Sequence, residues 1–133
     1  MSGPGSGPGS GRVIGIGVDA VDIARFRVSL ERTPTMRTRL FTAQELADVA
    51  ARVDPVPALA ARFAAREAVM KSMGLGLGAF GFHEAWVRRA PSGAPSLVIT
   101  GRAAELAAAR GITEWLLSIT HTDLVAVAQV IAQ

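Results

Sequence analysis

The chain has 133 residues, half of them hydrophobic, with a net charge of +3 and no cysteine. That length suits one buried core and not two, and the lack of cysteine excludes a disulfide framework, a thiolate metal site and a cysteine nucleophile. No uncharged apolar run reaches the roughly eighteen residues of a membrane span, so a cytoplasmic protein without membrane attachment is expected.

Residues 1–11 are glycine, proline and serine after the initiating Met1. They lack the basic and apolar regions of a signal peptide and read as a flexible tag or linker, leaving residues 12–133 as a single domain. Residues 12–18 form a short apolar run with β-branched side chains, predicting a buried strand that Asp19 ends. Gly15 and Gly17 predict close backbone packing along it. Asp22 lies near the start of a helix extending to about Arg32, with Ile23, Phe26 and Leu30 as its buried stripe. Arg25 and Arg32 project from the opposite side, either as a solvated face or as a surface for an acidic partner.

Pro34 breaks that helix, and Thr42-Ala-Gln-Glu45 is a capping box that predicts a second helix from Ala43 to about Arg52. Residues 58–73 hold strong helix formers without interruption and predict the longest element, the helix around which the chain is organised. Leu59, Phe63, Met70 and Met73 share its apolar side, which Arg66 interrupts. Glu67 and Lys71 share an edge floored by Ala60 and Ala64, where a backbone or a ligand can approach. Such a pair four residues apart is also what an ordinary solvated surface pair looks like. Gly74, Gly76, Gly78 and Gly81 follow, able to bring main-chain N–H groups up to an anion.

Residues 82–90 and 96–100 read as strands joined through a proline-flanked turn, residues 101–110 as a helix closed by Gly111, and residues 112–120 and 124–132 as a hairpin around His121. The order predicts an α+β fold, a mainly antiparallel sheet packed against the long central helix.

Three segments can carry chemistry. Gly15-Ile-Gly-Val-Asp19-Ala20 formally matches a dinucleotide fingerprint, but a bare carboxylate would face the pyrophosphate and no second parallel strand follows. Asp19 makes sense with a divalent cation between it and phosphates, or as a cap for the next helix. Mg²⁺ needs few protein oxygens beside those of its substrate, so Asp19 with Glu67 would suffice. In Ser118-Ile-Thr-His-Thr122, His121 is either a phosphate contact or base, or a turn residue with a satisfied hydrogen bond.

Together, Gly15-Ile-Gly-Val-Asp19 and Phe63-Ala-Ala-Arg-Glu67-Ala-Val-Met-Lys71 resemble the paired signature of phosphopantetheinyl transferases, G-[IV]-D and [FW]-x-x-K-E-[AS]-x-x-K. The Ser118–Thr122 segment and the length are similar to the small holo-acyl-carrier-protein-synthase type. The resemblance implies Mg²⁺-dependent transfer of 4′-phosphopantetheine from coenzyme A to a serine of an acidic apo acyl carrier protein, with release of adenosine 3′,5′-bisphosphate. It implies Asp19 and Glu67 as metal ligands, Lys71 on the phosphates, and Arg62, Arg66, Gly74, Gly76 and His121 as contacts to coenzyme A. Arg25 and Arg32 would dock the carrier. The serine proton would go to Glu67, to a metal-bound water or to His121. The small members of the family are trimers with active sites between subunits, which implies a homotrimer here. Arg66 departs from the pattern, which has lysine, and it motivates an alternative: a carrier-binding module of the same fold with weak or no turnover. Nucleic acid ranks last as a partner, since the chain has seven aromatics and no recognisable nucleic-acid module.

Overall fold

The computed structural model describes residues 12–133; the proposed linker lies outside them. In chain order the elements are β1 (Gly15–Asp22), α1 (Ile23–Arg32), α2 (Met36–Leu40), α3 (Ala43–Val49), α4 (Val56–Ser72), β2 (Ala85–Arg89), β3 (Pro95–Ile99), α5 (Gly101–Ala109), β4 (Trp115–His121) and β5 (Val125–Ala132). The strands form two antiparallel sheets, β1-β5-β4 and the hairpin β2-β3. The expected α+β class is therefore the observed one.

The 17-residue α4 is the centre of the fold. Its alanines allow this: Ala60, Ala64, Ala65 and Ala68 are wholly buried, and small side chains let strands lie against a helix at short range. The contact is closest at the two glycines of β1. A Cβ on Gly15 would stand 1.8 Å from the Ser72 carbonyl oxygen, and one on Gly17 would stand 1.9 Å from that of Ala68. Only glycine permits this approach.

Alternation then fixes the direction of the next inward residue. Because Gly15 and Gly17 face α4, Asp19 and Val21 face it too. β1 does not stop at Asp19 as expected; it pairs with β5 through Asp22↔Val125. Asp22, not Asp19, caps α1, its Oδ1 accepting from the Arg25 amide at 2.9 Å. That removes the capping explanation for Asp19.

Apolar residues pack in two clusters that share α4. One joins its C-terminal half to α5, the β2-β3 hairpin and β5. The other joins its N-terminal half to α1, α2 and α3. With packing on every side, α4 has no single apolar stripe, and its expected one-sidedness is corrected. The capping box is present, Thr42 Oγ1 accepting from Glu45 N and Glu45 Oε1 from Thr42 N. α3 ends at Val49, short of Arg52. The short α2 was not foreseen, and residues 82–84 belong to a turn rather than to a strand.

Candidate active site

Lys71 extends from the last turn of α4 to β1. Its Nζ donates to Asp19 Oδ1 at 2.9 Å and to the Val18 carbonyl at 3.2 Å, joining residues 52 positions apart. The Glu67 carboxylate lies one turn earlier on α4. Its Oε2 is buried without a hydrogen-bond partner, and its nearest cation is the Arg66 Nε at 3.9 Å. Burial pushes the Glu67 carboxyl above the usual carboxylate range, Asp19 adds to the rise, and Arg66 and Lys71 oppose it. Asp19 and Glu67 are thus close enough to repel one another, and the unused acceptor oxygen of Glu67 is buried on the side of Arg66.

That arrangement fits a hard divalent cation. Two carboxylates are available, one oxygen of Glu67 is orphaned, and an orphaned buried carboxylate oxygen is costly unless something compensates it. Among the described residues there is no group of three or more His, Cys, Asp or Glu side chains able to hold a metal. A cation here would need oxygens from its substrate, as Mg²⁺ on a polyphosphate does.

His121 ends β4, exposed, its Nδ1 3.4 Å from the Thr122 carbonyl oxygen. With Arg62, Arg52 and Arg89 it lines a pocket of about 130 Å³. Sequence reasoning found Arg62 and His121 but not Arg52 or Arg89, since no local pattern links the segment after α3 and the end of β2 to a strand terminus so far along the chain. Three guanidiniums and an imidazole around so small a volume are chemically suited to an anion. Arg62 is nearly buried, 3% exposed, and donates to the Ala58 carbonyl; burial pulls its pKa down.

One chain does not bring the two groups together. His121 is in register with Ala126 and Val21, whereas Asp19 is in register with Ala128. Two strand spacings and two residues separate His121 from Asp19, roughly 12 Å between Cα atoms. Arg62 and Lys71, nine residues apart, lie on opposite sides of α4 at about 100° per residue. His121 is therefore not beside the carboxylate pair of its own chain.

Two expectations about the helix change. Arg66 is 2% exposed, so its guanidinium faces the interior and presents nothing to a phosphate. The Gly74 N–H is committed to the end of α4, donating to the Lys71 carbonyl while Leu75 N donates to that of Met70; the positive φ of Gly74 closes the helix rather than cradling an anion. Gly76 remains open, with nothing within 4 Å of an added Cβ.

Arg25 and Arg32 are exposed on one side of α1 and line a shallow depression with Ala24, Val28 and Ser29. Next to it, Arg25 also borders an apolar groove of about 450 Å³ between α1, α2 and the glycine-rich segment, walled by Phe26, Leu40, Phe63 and Phe82.

A family model described as the 4′-phosphopantetheinyl transferase superfamily matches residues 15–125. The chain belongs to that superfamily. A holo-[acyl-carrier-protein] synthase of Micrococcus luteus is 46% identical over 123 residues, 91% of this chain and 92% of that protein. One of Frankia casuarinae is 48% identical over 121 residues, 91% and 98% of the two chains. Among solved structures, the holo-[acyl-carrier-protein] synthase of Neisseria meningitidis superposes with a TM-score of 0.82 at 28% identity, covering 92% of this chain and 99% of that one. A Bacillus anthracis holo-(acyl-carrier-protein) synthase in complex with CoA (3′,5′-ADP) has a TM-score of 0.74 at 28% identity, covering 90% and 96%. The chain is thus an enzyme of the phosphopantetheinyl transferase family. No helix among the described residues is long and apolar enough to cross a membrane.

Proposed function

We propose that this chain transfers 4′-phosphopantetheine from coenzyme A to a serine of an apo acyl carrier protein and releases adenosine 3′,5′-bisphosphate. The observation that carries the reading is the Lys71–Asp19 bond where β1 crosses the end of α4, with the Glu67 carboxylate one turn earlier on the helix and its Oε2 unpartnered. The serine oxygen forms a bond to the phosphorus that bears pantetheine, and that phosphorus loses its bond to the bridging oxygen of the pyrophosphate. The electron pair leaves with the adenosine bisphosphate. Such chemistry calls chiefly for in-line placement and charge neutralisation.

Asp19 and Glu67 would hold Mg²⁺. Bound there, the ion would supply positive charge to the pyrophosphate oxygens and so ease departure of the leaving phosphate. Lys71 orients Asp19 through its 2.9 Å bond, and its exposed ammonium can shift to a phosphate oxygen. The serine proton would go to Glu67, to a metal-bound water or to His121. The pocket of Arg52, Arg62, Arg89 and His121 would take a phosphate of coenzyme A, and Gly76 leaves room for the cofactor beside the helix end.

Arg25 and Arg32 supply the charge for an acidic carrier, with the apolar groove beside them for its side chains. We also propose that the chain works as a homotrimer. Ile16, Val18 and Leu116 are 57%, 50% and 46% exposed on the sheet face away from α4, an apolar surface of the kind that assembly covers. Separation of His121 from the carboxylate pair within one chain supports a site completed by a neighbouring copy. Residues 12–133 act as one domain because both apolar clusters share α4. Cytoplasmic placement goes with the two substrates.

The alternative of an inactive carrier-binding module rested on Arg66 as a lost phosphate ligand, and its inward guanidinium weakens that ground. Incubation with apo carrier, coenzyme A and Mg²⁺ followed by mass spectrometry of the carrier tests the proposal. A pantetheine arm on the carrier is expected; unmodified carrier across fatty-acid and polyketide carriers would overturn it.

A further inference from the structure

The geometry points to Arg66 as a positioning residue that shapes the groove for the carrier and takes no part in binding coenzyme A. This inference rests on the proposed docking role of that groove. Arg66 is the largest side chain buried to this degree in the described chain. Its Nη1 donates to the Leu40 carbonyl at 3.0 Å and to the Phe82 carbonyl at 3.4 Å. Its guanidinium carbon sits 4.8 Å from the Phe63 ring centroid and 4.5 Å from that of Phe82. Leu40, Phe63 and Phe82 all wall the groove.

One planar cation therefore ties together three segments with no covalent continuity: the end of α2, the middle of α4 and the turn leaving the glycine-rich segment. Cation–π attraction to two rings and bonds to two carbonyls fix where those walls stand. A lysine ammonium has no plane to lay against both rings, so the exchange to arginine acts on the walls of the groove. The guanidinium still has two nitrogens without hydrogen-bond partners, Nε and Nη2. Burying them is costly, and the two carbonyl bonds and two ring contacts offset part of that cost.

The test measures KM for carrier and for coenzyme A separately in Arg66→Lys and in Phe82→Leu, with thermal melts to show that each is folded. Phe82→Leu removes one ring and leaves the charge in place, so it serves if Arg66→Lys fails to fold. Both variants are expected to raise the KM for carrier on the order of tenfold while that for coenzyme A stays within about twofold. A KM for coenzyme A that rises as much as that for carrier overturns the inference and makes Arg66 a cofactor contact; unchanged values for both overturn it too. Ser29→Trp, which fills the groove without touching Arg66, separates this failure from that of the docking role. If Ser29→Trp leaves the KM for carrier unchanged, the groove itself is misread.

Discussion

Gly17→Ala is the substitution for which the structure gives the largest effect from the smallest change. The added Cβ would lie 1.9 Å from the Ala68 carbonyl oxygen and 2.8 Å from the Ser72 amide nitrogen. A carbon–oxygen contact settles near 3.3 Å, so β1 would have to withdraw from α4 by roughly 1.4 Å. Both obstructing atoms are backbone in a helix packed on all sides, so no side chain can rotate away. Overpacking of this kind costs about 1–3 kcal/mol where neighbours can shift, and the upper end or more is expected here. The same withdrawal would stretch the 2.9 Å Lys71–Asp19 bond beyond hydrogen-bonding range, so turnover should fall with stability. Urea denaturation gives the stability loss, and mass spectrometry of the carrier gives the rate. Gly76→Ala is the control: its Cβ meets nothing within 4 Å, and a change within about 0.5 kcal/mol is expected. A Gly17→Ala protein with stability and turnover equal to the parent would refute the claim that the close approach of β1 to α4 builds the site.

Arg25→Glu should raise the KM for carrier far more than that for coenzyme A, and equal effects would contradict the docking surface. His121→Ala should do the opposite, raising the KM for coenzyme A, because its pocket is an anion site on the other side of α4. Val18→Lys, on the exposed sheet face, should shift the chain to monomers in sedimentation and cut activity; an unaltered oligomeric state would contradict assembly through that face. The raised pKa of Glu67 gives a pH signature in metal-free protein. A carboxyl whose folded pKa exceeds its unfolded one contributes stability that is full below the unfolded pKa and is lost as pH rises through the folded value. The stability of the parent relative to Glu67→Gln should therefore fall as pH rises across the upper carboxylate range, and a difference that rises instead would contradict the burial.

Strong local codes were legible in the sequence. The Thr42–Glu45 capping box, the Ile23/Phe26/Leu30 stripe and the alanine-rich α4 each depend on neighbours a turn away, and the structure has all three. Gly15 and Gly17 announced a close contact without saying with what. Less legible were features set by residues distant along the chain. Asp19 was read as the end of its strand because nothing local says that β5 supplies partners through Asp22. Arg66 looked like a phosphate ligand because its motif position suggested charge chemistry; the two rings and two carbonyls that enclose it come from its own helix and two distant segments. Arg52 and Arg89 carry no signal until α3, β2 and β4 converge on His121.

Asp19 and Glu67 are proposed to hold one magnesium ion together when coenzyme A is bound. Calorimetric titration of Mg²⁺ into the protein with saturating coenzyme A, repeated with Asp19→Ala and Glu67→Ala, tests it directly. One bound equivalent is expected in the parent and loss of that binding in both variants; either folded variant binding the ion as the parent does would contradict the shared site.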